Sequence, residues 1–196
     1  MTSAHPVEIV ALLVSPVHAY EGRPRNGPRP DAGGGARDHI DIRAGLGIVG
    51  DRYHAQAAHR HAAVTVFAAE SLDAVTPVAG SPPPDPLLTR RNVVLRGFPV
   101  DELASARDHD GAEFSLDSGG GPIRFRAHRP ARPCGWLDVV LAPGAQRALR
   151  GRGGVRCEPL DDGRLDLGPA VLRVLRAPAV AVAAVGGSPR TGDLGR

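Results

Sequence analysis

With 196 residues, the chain is long enough to fold as one domain around a buried core. All 24 of its basic residues are arginine, its 21 acidic residues leave a formal charge of +3, and it has two cysteines. The missing lysine excludes a covalent pyridoxal phosphate site and a phosphate loop ending in Gly-Lys; two cysteines exclude a disulfide scaffold and suit a reducing compartment.

Gly and Pro together supply 44 residues, and their clusters alternate with short β-branched runs. That alternation predicts many short strands joined by turns, a mostly β barrel with a few short helices. VEIVALLVS (7–15) lies between two prolines and predicts a buried strand. EGRPRNGPRPDAGGGAR (21–37) is too rich in Gly, Pro and Arg to pack, so a long loop is expected. HIDIRAGLGIVGDRYH (39–54) predicts a short strand and a glycine-punctuated turn. AAVTVF (62–67) predicts a strand and AAESLDAV (68–75) a short helix with Leu72 and Val75 on one face. SPPPDP (81–86) is a stiff connection, RNVVLRG (91–97) a strand, and VDEL (100–103) one helical turn. AEFSLD (112–117) and PIRFRAH (122–128) flank SGGG and predict a hairpin. GWLDVVLAPGAQRALRG (135–151) places Leu137, Val140 and Leu141 on one helical face, with a restart at Pro143. GVRCEPL, DGRLDLG and AVLRVLRA predict the closing strands, and residues 177–196 a loose tail. The domain is expected over 1–196, with its core within about 7–176. No run reaches the ~20 apolar residues of a membrane helix. The N-terminus lacks a basic patch ahead of an apolar core, so a cytoplasmic protein without a membrane partner is expected.

The chemistry concentrates at ARPCGW (131–136), where Cys134 stands between proline and glycine just after Arg129 and Arg132. Nearby cations favour the thiolate, the reactive form of cysteine, although a free cysteine is often only a small buried hydrophobe. Cys157, inside a strand pattern, is expected half buried and slow to react. A Cys134–His128 dyad lacks any hydrolase signature around the thiol. His54, His59 and His61 match no zinc spacing and read as a solvated loop. TRRN (89–92) and RGRGG (150–154) bring guanidiniums and glycines that suit an anion, and the two segments are expected to meet at one mouth of the barrel. An anion with a soft metal at one end would satisfy both the arginines and the thiol. The basic loop RPRNGPRP has no interleaved aromatic residues, so no nucleic-acid partner is expected.

GLGIVGDRYH, RRNVVLRG, the Pro-Cys of RPCGW, and GRGG followed by DGRLDLGPA together resemble a MOSC domain, the C-terminal domain of molybdenum cofactor sulfurases. Members of that family also occur alone at about this length. The resemblance spans roughly residues 7–176 and implies a β-rich barrel that binds the molybdenum cofactor, a pterin phosphate carrying the metal through a dithiolene. It places Gly50-Asp51 on the family's Gly-Asp turn, Arg91-Asn92 on its anion-binding strand start, and Cys134 on the cysteine that carries the chemistry as metal ligand or sulfur carrier. Thr89, Arg91, Asn92, Arg132, Arg150 and Arg152 are then the expected cofactor-binding residues. Two activities follow from the resemblance, sulfur transfer onto the metal and reduction of N-hydroxylated small molecules, each with a partner protein that donates electrons or sulfur. The alternative is a non-catalytic carrier that delivers the cofactor or sulfur to another enzyme. Leu167-Gly168-Pro169 stands where many members have Gly-Asp, which marks a divergent subgroup.

Overall fold

The computed structural model describes residues 3–75, 82 and 84–180. Strand β1 (Ala4–Val14) is followed by β2 (Gly35–Ala36), β3 (His39–Arg43), β4 (Gly47–Ile48), β5 (Val64–Ala68) and β6 (Val93–Arg96). After β7 (His109–Asp110) come β8 (Glu113–Asp117) and β9 (Ile123–Pro130). Helices α1 (Trp136–Val140) and α2 (Ala145–Ala148) precede β10 (Val155–Pro159), β11 (Gly163–Asp166), β12 (Gly168–Arg176) and β13 (Ala179–Val180).

Seven strands pair in the order β12-β8-β9-β10-β5-β6-β1, and β1 pairs with β12 to close the barrel. Closure removes the open edges that an unpaired sheet would present. β1 lies between β12 and β6, and a register shift against β6 falls between Ile9 and Ala11. Its first half, Ala4 to Ile9, pairs with β12, and Glu8 to Leu12 pair with β6. β5 and β6 are the parallel pair, joined by a crossover that contains the 3₁₀ turn Ala69–Ala74. That turn replaces the helix expected over 68–75, and it still buries Leu72 and Val75. β3, β4 and β11 form a small separate sheet.

The strand sequences divide their side chains between two apolar clusters. Val64, Val66, Val93, Leu95, Val155 and Cys157 point into the barrel, where they pack with Phe114, Phe125 and Leu116. The intervening Phe67 and Val94 point outward and meet Leu137 and Leu149 from the two helices. Burial on both faces explains why VTVFA has no polar alternation apart from Thr65. The helical stretch is broken where it was expected to restart: Gly144 adopts φ 88°, and α2 begins only at Ala145, so Pro143 stands before the helix. Leu137, Val140 and Leu141 nevertheless face the same cluster.

The segment 21–37 is better ordered than its composition suggests. It contains the 3₁₀ turn Pro24–Asn26 and strand β2, whose Ala36 pairs with Leu13 of β1. The expected tail begins with β13, which pairs with β7, and residues 181–196 lie outside the described ones. Among the described residues no helix is long and apolar enough to cross a membrane.

Candidate functional site

Apolar side chains fill the barrel, which leaves no room for a ligand inside it. On β10, Val155 and Cys157 face the core, so Arg156 faces out; Thr65, its partner on β5, faces out beside it. These two residues sit in the wall of a cavity of about 200 Å³, which is also lined by Thr89, Arg90 and Arg91 ahead of β6, and by Arg132 and Cys134 ahead of α1. Arg52 and Tyr53, after the β4 turn, and His18 and Tyr20, after β1, complete it. Five guanidiniums therefore border one exposed thiol.

The arginines are not equivalent. Arg90 adopts φ 58° at the end of the 3₁₀ turn Pro86–Thr89, a left-handed position that turns its side chain back toward Asp31. Arg90 Nη1 lies 2.6 Å from Asp31 Oδ2, and Ser15 Oγ donates to the same oxygen at 2.7 Å. Burial works against the Asp31 charge, but Ser15 and Arg90 outweigh it and hold its carboxyl below the ordinary range. The contact ties the glycine-rich segment to the cavity. Since the native form favours the ionised acid, this stabilisation is present above the usual carboxylate range, near pH 4, and is lost as pH falls through the depressed value. Amide exchange in 30–36 should therefore accelerate selectively in wild type below about pH 4, and in Asp31→Asn at neutral pH. Equal protection in both proteins at pH 7 would show that the ion pair does not hold the segment.

Arg52 lies 4.0 Å from buried Asp51 and stacks 4.5 Å over the Tyr53 ring. Arg91, Arg132 and Arg156 have no carboxylate within ion-pair distance among the described residues. Arg91 instead donates from Nε to the Gly153 carbonyl at 2.9 Å and from Nη2 to that of Ala131 at 3.2 Å. Burial first, and the charge of Arg156 second, pull its pKa down to about 10. Arg156 is lowered in turn by burial and by Arg129. The cavity thus holds more positive charge than the protein itself neutralises. Its other wall is aromatic: Tyr20 stacks on Trp136 at 5.3 Å and donates to the Leu88 carbonyl at 2.6 Å. Burial pushes the Tyr20 hydroxyl up to about 12, so it remains protonated.

TRRN and GRGG do meet, through the hydrogen bond from Arg91 Nε to the Gly153 carbonyl, while Nη2 of the same side chain ties both to Ala131 in the Pro-Cys segment. The glycines serve backbone contact, not the ligand. A Cβ on Gly153 would fall 2.0 Å from the Ala131 carbonyl oxygen, and one on Gly154, at φ 86°, would fall 2.3 Å from that of Val66. Arg150 lines a neighbouring hollow with Arg132, Pro133 and Gln146, and Arg152 lines another with Asp101 and Glu102. Neither borders the thiol cavity. Thr89 does, with its hydroxyl donating to the Pro86 carbonyl at 2.7 Å.

Asn92 is buried and lies behind the cavity. Its amide nitrogen donates to Asp51 Oδ2 at 3.1 Å and to the Leu13 carbonyl at 3.2 Å, while its oxygen accepts from the Thr65 amide and hydroxyl. Arg52, Arg90 and Arg156 join the expected Arg91 and Arg132 at the cavity. The signal for Arg156 is the alternation of VRCEP, in which the residue between two core positions must face out. Cys157 is fully buried, not half buried, and burial pushes its thiol well above the ordinary cysteine value. His128 contacts Glu158 and stacks on His61, and it does not line the thiol cavity.

No family model and no curated protein matches the sequence. Among solved structures, the chain is similar to the YuaD protein of Bacillus subtilis, at 17% identity and a TM-score of 0.64, covering 90% of this chain and 100% of that one. It is also similar to YiiM of Geobacillus stearothermophilus, at 13% identity and a TM-score of 0.54, over 86% and 75% of the two chains. These likenesses concern the fold alone, and they are consistent with the MOSC-like barrel that the sequence motifs imply.

Proposed function

We propose that this chain is a MOSC-type protein that binds the molybdenum cofactor in the Cys134 cavity and uses Cys134 as a metal ligand or sulfur-bearing thiol. One observation carries the reading: an exposed thiol shares its cavity with five guanidiniums, three of them without a carboxylate partner among the described residues. Guanidiniums suit the terminal phosphate through paired charge-assisted hydrogen bonds, and a thiol suits a soft metal. Arg91, Arg132 and Arg156 would hold the phosphate, Arg52 and Arg90 would complete the positive wall, and Thr89 would border it. Arg150 and Arg152, in the adjoining hollows, would add only to the surrounding field. At about 200 Å³ the cavity is smaller than the ~300–1,000 Å³ that enclose a drug-sized ligand, so it would take one end of the cofactor and leave the rest at the surface. The bound cofactor would supply a metal that accepts sulfur or reduces an N-hydroxylated small molecule. A partner protein would provide the electrons or the sulfur.

Metal analysis of protein purified from a cofactor-producing host tests the reading, and about one molybdenum per chain is expected. Background molybdenum in the wild type would defeat it. Turnover of an N-hydroxylated base with a reductant then separates a reductase from a carrier. Arg156→Ala is the cleanest test of the phosphate wall, because Arg156 makes no side-chain hydrogen bond or ion pair among the described residues. Losing one charge-assisted contact costs about 1.5–3 kcal/mol of cofactor binding. Thermal stability without cofactor should hold or rise slightly, because a repulsion with Arg91 is removed. Arg91→Ala should lose a similar amount of binding and also stability, because two carbonyls lose their donor. Unchanged molybdenum retention in Arg156→Ala would place the phosphate elsewhere.

A further inference from the structure

A second group of side chains lies on the same outer wall of β10. Arg156 and Glu158 both point away from the core, about 7 Å apart along the strand. Glu158 is nonetheless buried, with only 4% of its side chain exposed. Three residues cover it. Arg60 Nε donates to Oε1 at 2.5 Å, His128 Nε2 lies 3.4 Å from Oε2, and His61 Nε2 lies 3.9 Å from the same oxygen. The register of β9 against β10 shifts between Val155 and Cys157, so two residues of β9, His128 and Arg129, stand opposite Arg156 alone. The resulting bulge brings His128 to the carboxylate; bulges often re-aim a side chain in this way. His61 arrives from the 3₁₀ turn Ala57–Ala62 and stacks on His128 at 4.2 Å.

The spacing is loose for hydrogen bonds and suits a shared ion: His128 makes one long hydrogen bond to Glu158, and His61 makes none. Well-formed imidazole-to-carboxylate hydrogen bonds close to about 2.7–3.2 Å; the His128 bond is stretched to 3.4 Å, and the His61 contact, at 3.9 Å, is too long for one. Ligands bound at about 2.0–2.1 Å around a tetrahedral ion lie roughly 3.3–3.4 Å apart along each edge. The His128–Glu158 distance meets that value at 3.4 Å, and all three ligand atoms lie within 4.8 Å of one another. His61, with 70% of its side chain exposed, can close the remaining gap by rotating out of its stack on His128, which ligation requires because a metal lies in the plane of each imidazole it joins. Arg60 bonds the oxygen that would not ligate, which leaves Oε2 to the metal and fixes the carboxylate plane. We propose that His61, His128 and Glu158 form a binding site for one divalent transition-metal ion of the zinc class, with its fourth position open to solvent. Two imidazoles and one carboxylate with an open position is a ligand set that zinc accepts. The site is independent of Cys134 and of the cofactor reading.

Chelator-stripped full-length protein, titrated with Zn²⁺ alone, tests the proposal. One equivalent should bind, and at a hundredfold excess over Kd the thermal midpoint should rise by roughly 5–10 °C. His61→Ala changes an exposed side chain and should fold normally, yet weaken binding at least about tenfold; His128→Ala should do the same. Cys134→Ser should bind zinc like wild type. With Co²⁺ in place of zinc, the spectrum should show ligand-field bands without sulfur charge transfer. Equal zinc affinity in wild type and His61→Ala would overturn the proposal, as would a cobalt–sulfur band lost in Cys134→Ser.

Discussion

In the folded protein, iodoacetamide should label Cys134 more than ~10³-fold faster than Cys157, because Cys157 is reached only through an opening that costs at least about 5 kcal/mol. Cys157 is fully buried between Val155 and Glu158 on β10, and its desolvation holds the thiol protonated well above its ordinary value. Cys134 is exposed at the rim of the arginine cavity, so its access needs no opening. Peptide mapping after a brief pulse with limiting reagent should find the label on Cys134 alone, and both cysteines should label in concentrated guanidinium. Cys134→Ser should keep the fold, since the thiol is exposed and serine is close in size, and should lose a metal-bound or persulfide sulfur, because a hydroxyl is a harder and less acidic ligand. In molybdenum analysis that loss should be nearly complete. If Cys157 labels first, or if Cys134→Ser keeps both the metal and the activity, the thiol is not the centre of the site.

The barrel was legible because its strands announce themselves twice, by β-branched runs and by the Gly and Pro clusters between them. The hairpin of β8 and β9 lies within a residue or two of the expected limits, since SGGG leaves the chain little but a turn there. The helices were less legible. Pro143 is compatible with a helix start, and only the left-handed Gly144 beside it shows that the chain breaks first. The site was legible in its charge and not in its geometry. TRRN and RPCGW mark the cavity by composition, but the residues that complete it come from four separate segments. Arg52 and Arg156 lie more than 100 positions apart in the chain and line the same cavity. GRGG could be read as a ligand-facing loop until its neighbours were known; it is a close crossing of backbones, with Ala131 and Val66 too near for any side chain. The His61, His128 and Glu158 group was hidden for a different reason. Its register depends on a bulge in β9, and no spacing rule links a 3₁₀ turn to two adjacent strands.

Replacing Asn92 with leucine should destabilise the protein by about 4 kcal/mol, or roughly 8–16 °C in Tm, although leucine has nearly the same size. The amide is the knot between three segments. It gives a hydrogen bond to Leu13 of β1 and one to Asp51, and it takes two from Thr65 of β5. Leucine would leave the Asp51 carboxylate, which also accepts from the Ser15 and Tyr53 amides, one donor short in a buried place. Unpaired buried charge is among the most costly defects a substitution can leave. The consequence reaches the site because Asp51 and Asn92 each precede or follow a cavity arginine: Arg52 comes directly after one, Arg91 directly before the other. The two buried side chains therefore fix where both guanidiniums begin. Asn92→Asp sharpens the test. Its charged form would repel Asp51 across 3.1 Å, whereas its protonated form can donate to that oxygen as the amide does. Repulsion and burial raise the acid's native pKa above its unfolded value, so its stability deficit should shrink as pH falls from 7 toward 5, opposite to the Asp31 effect. Thermal melts of Asn92→Leu and Asn92→Asp at several pH values decide the matter. A leucine variant within about 1 kcal/mol of wild type, or an aspartate variant whose deficit does not change with pH, would mean that Asn92 is not the brace beneath the arginines.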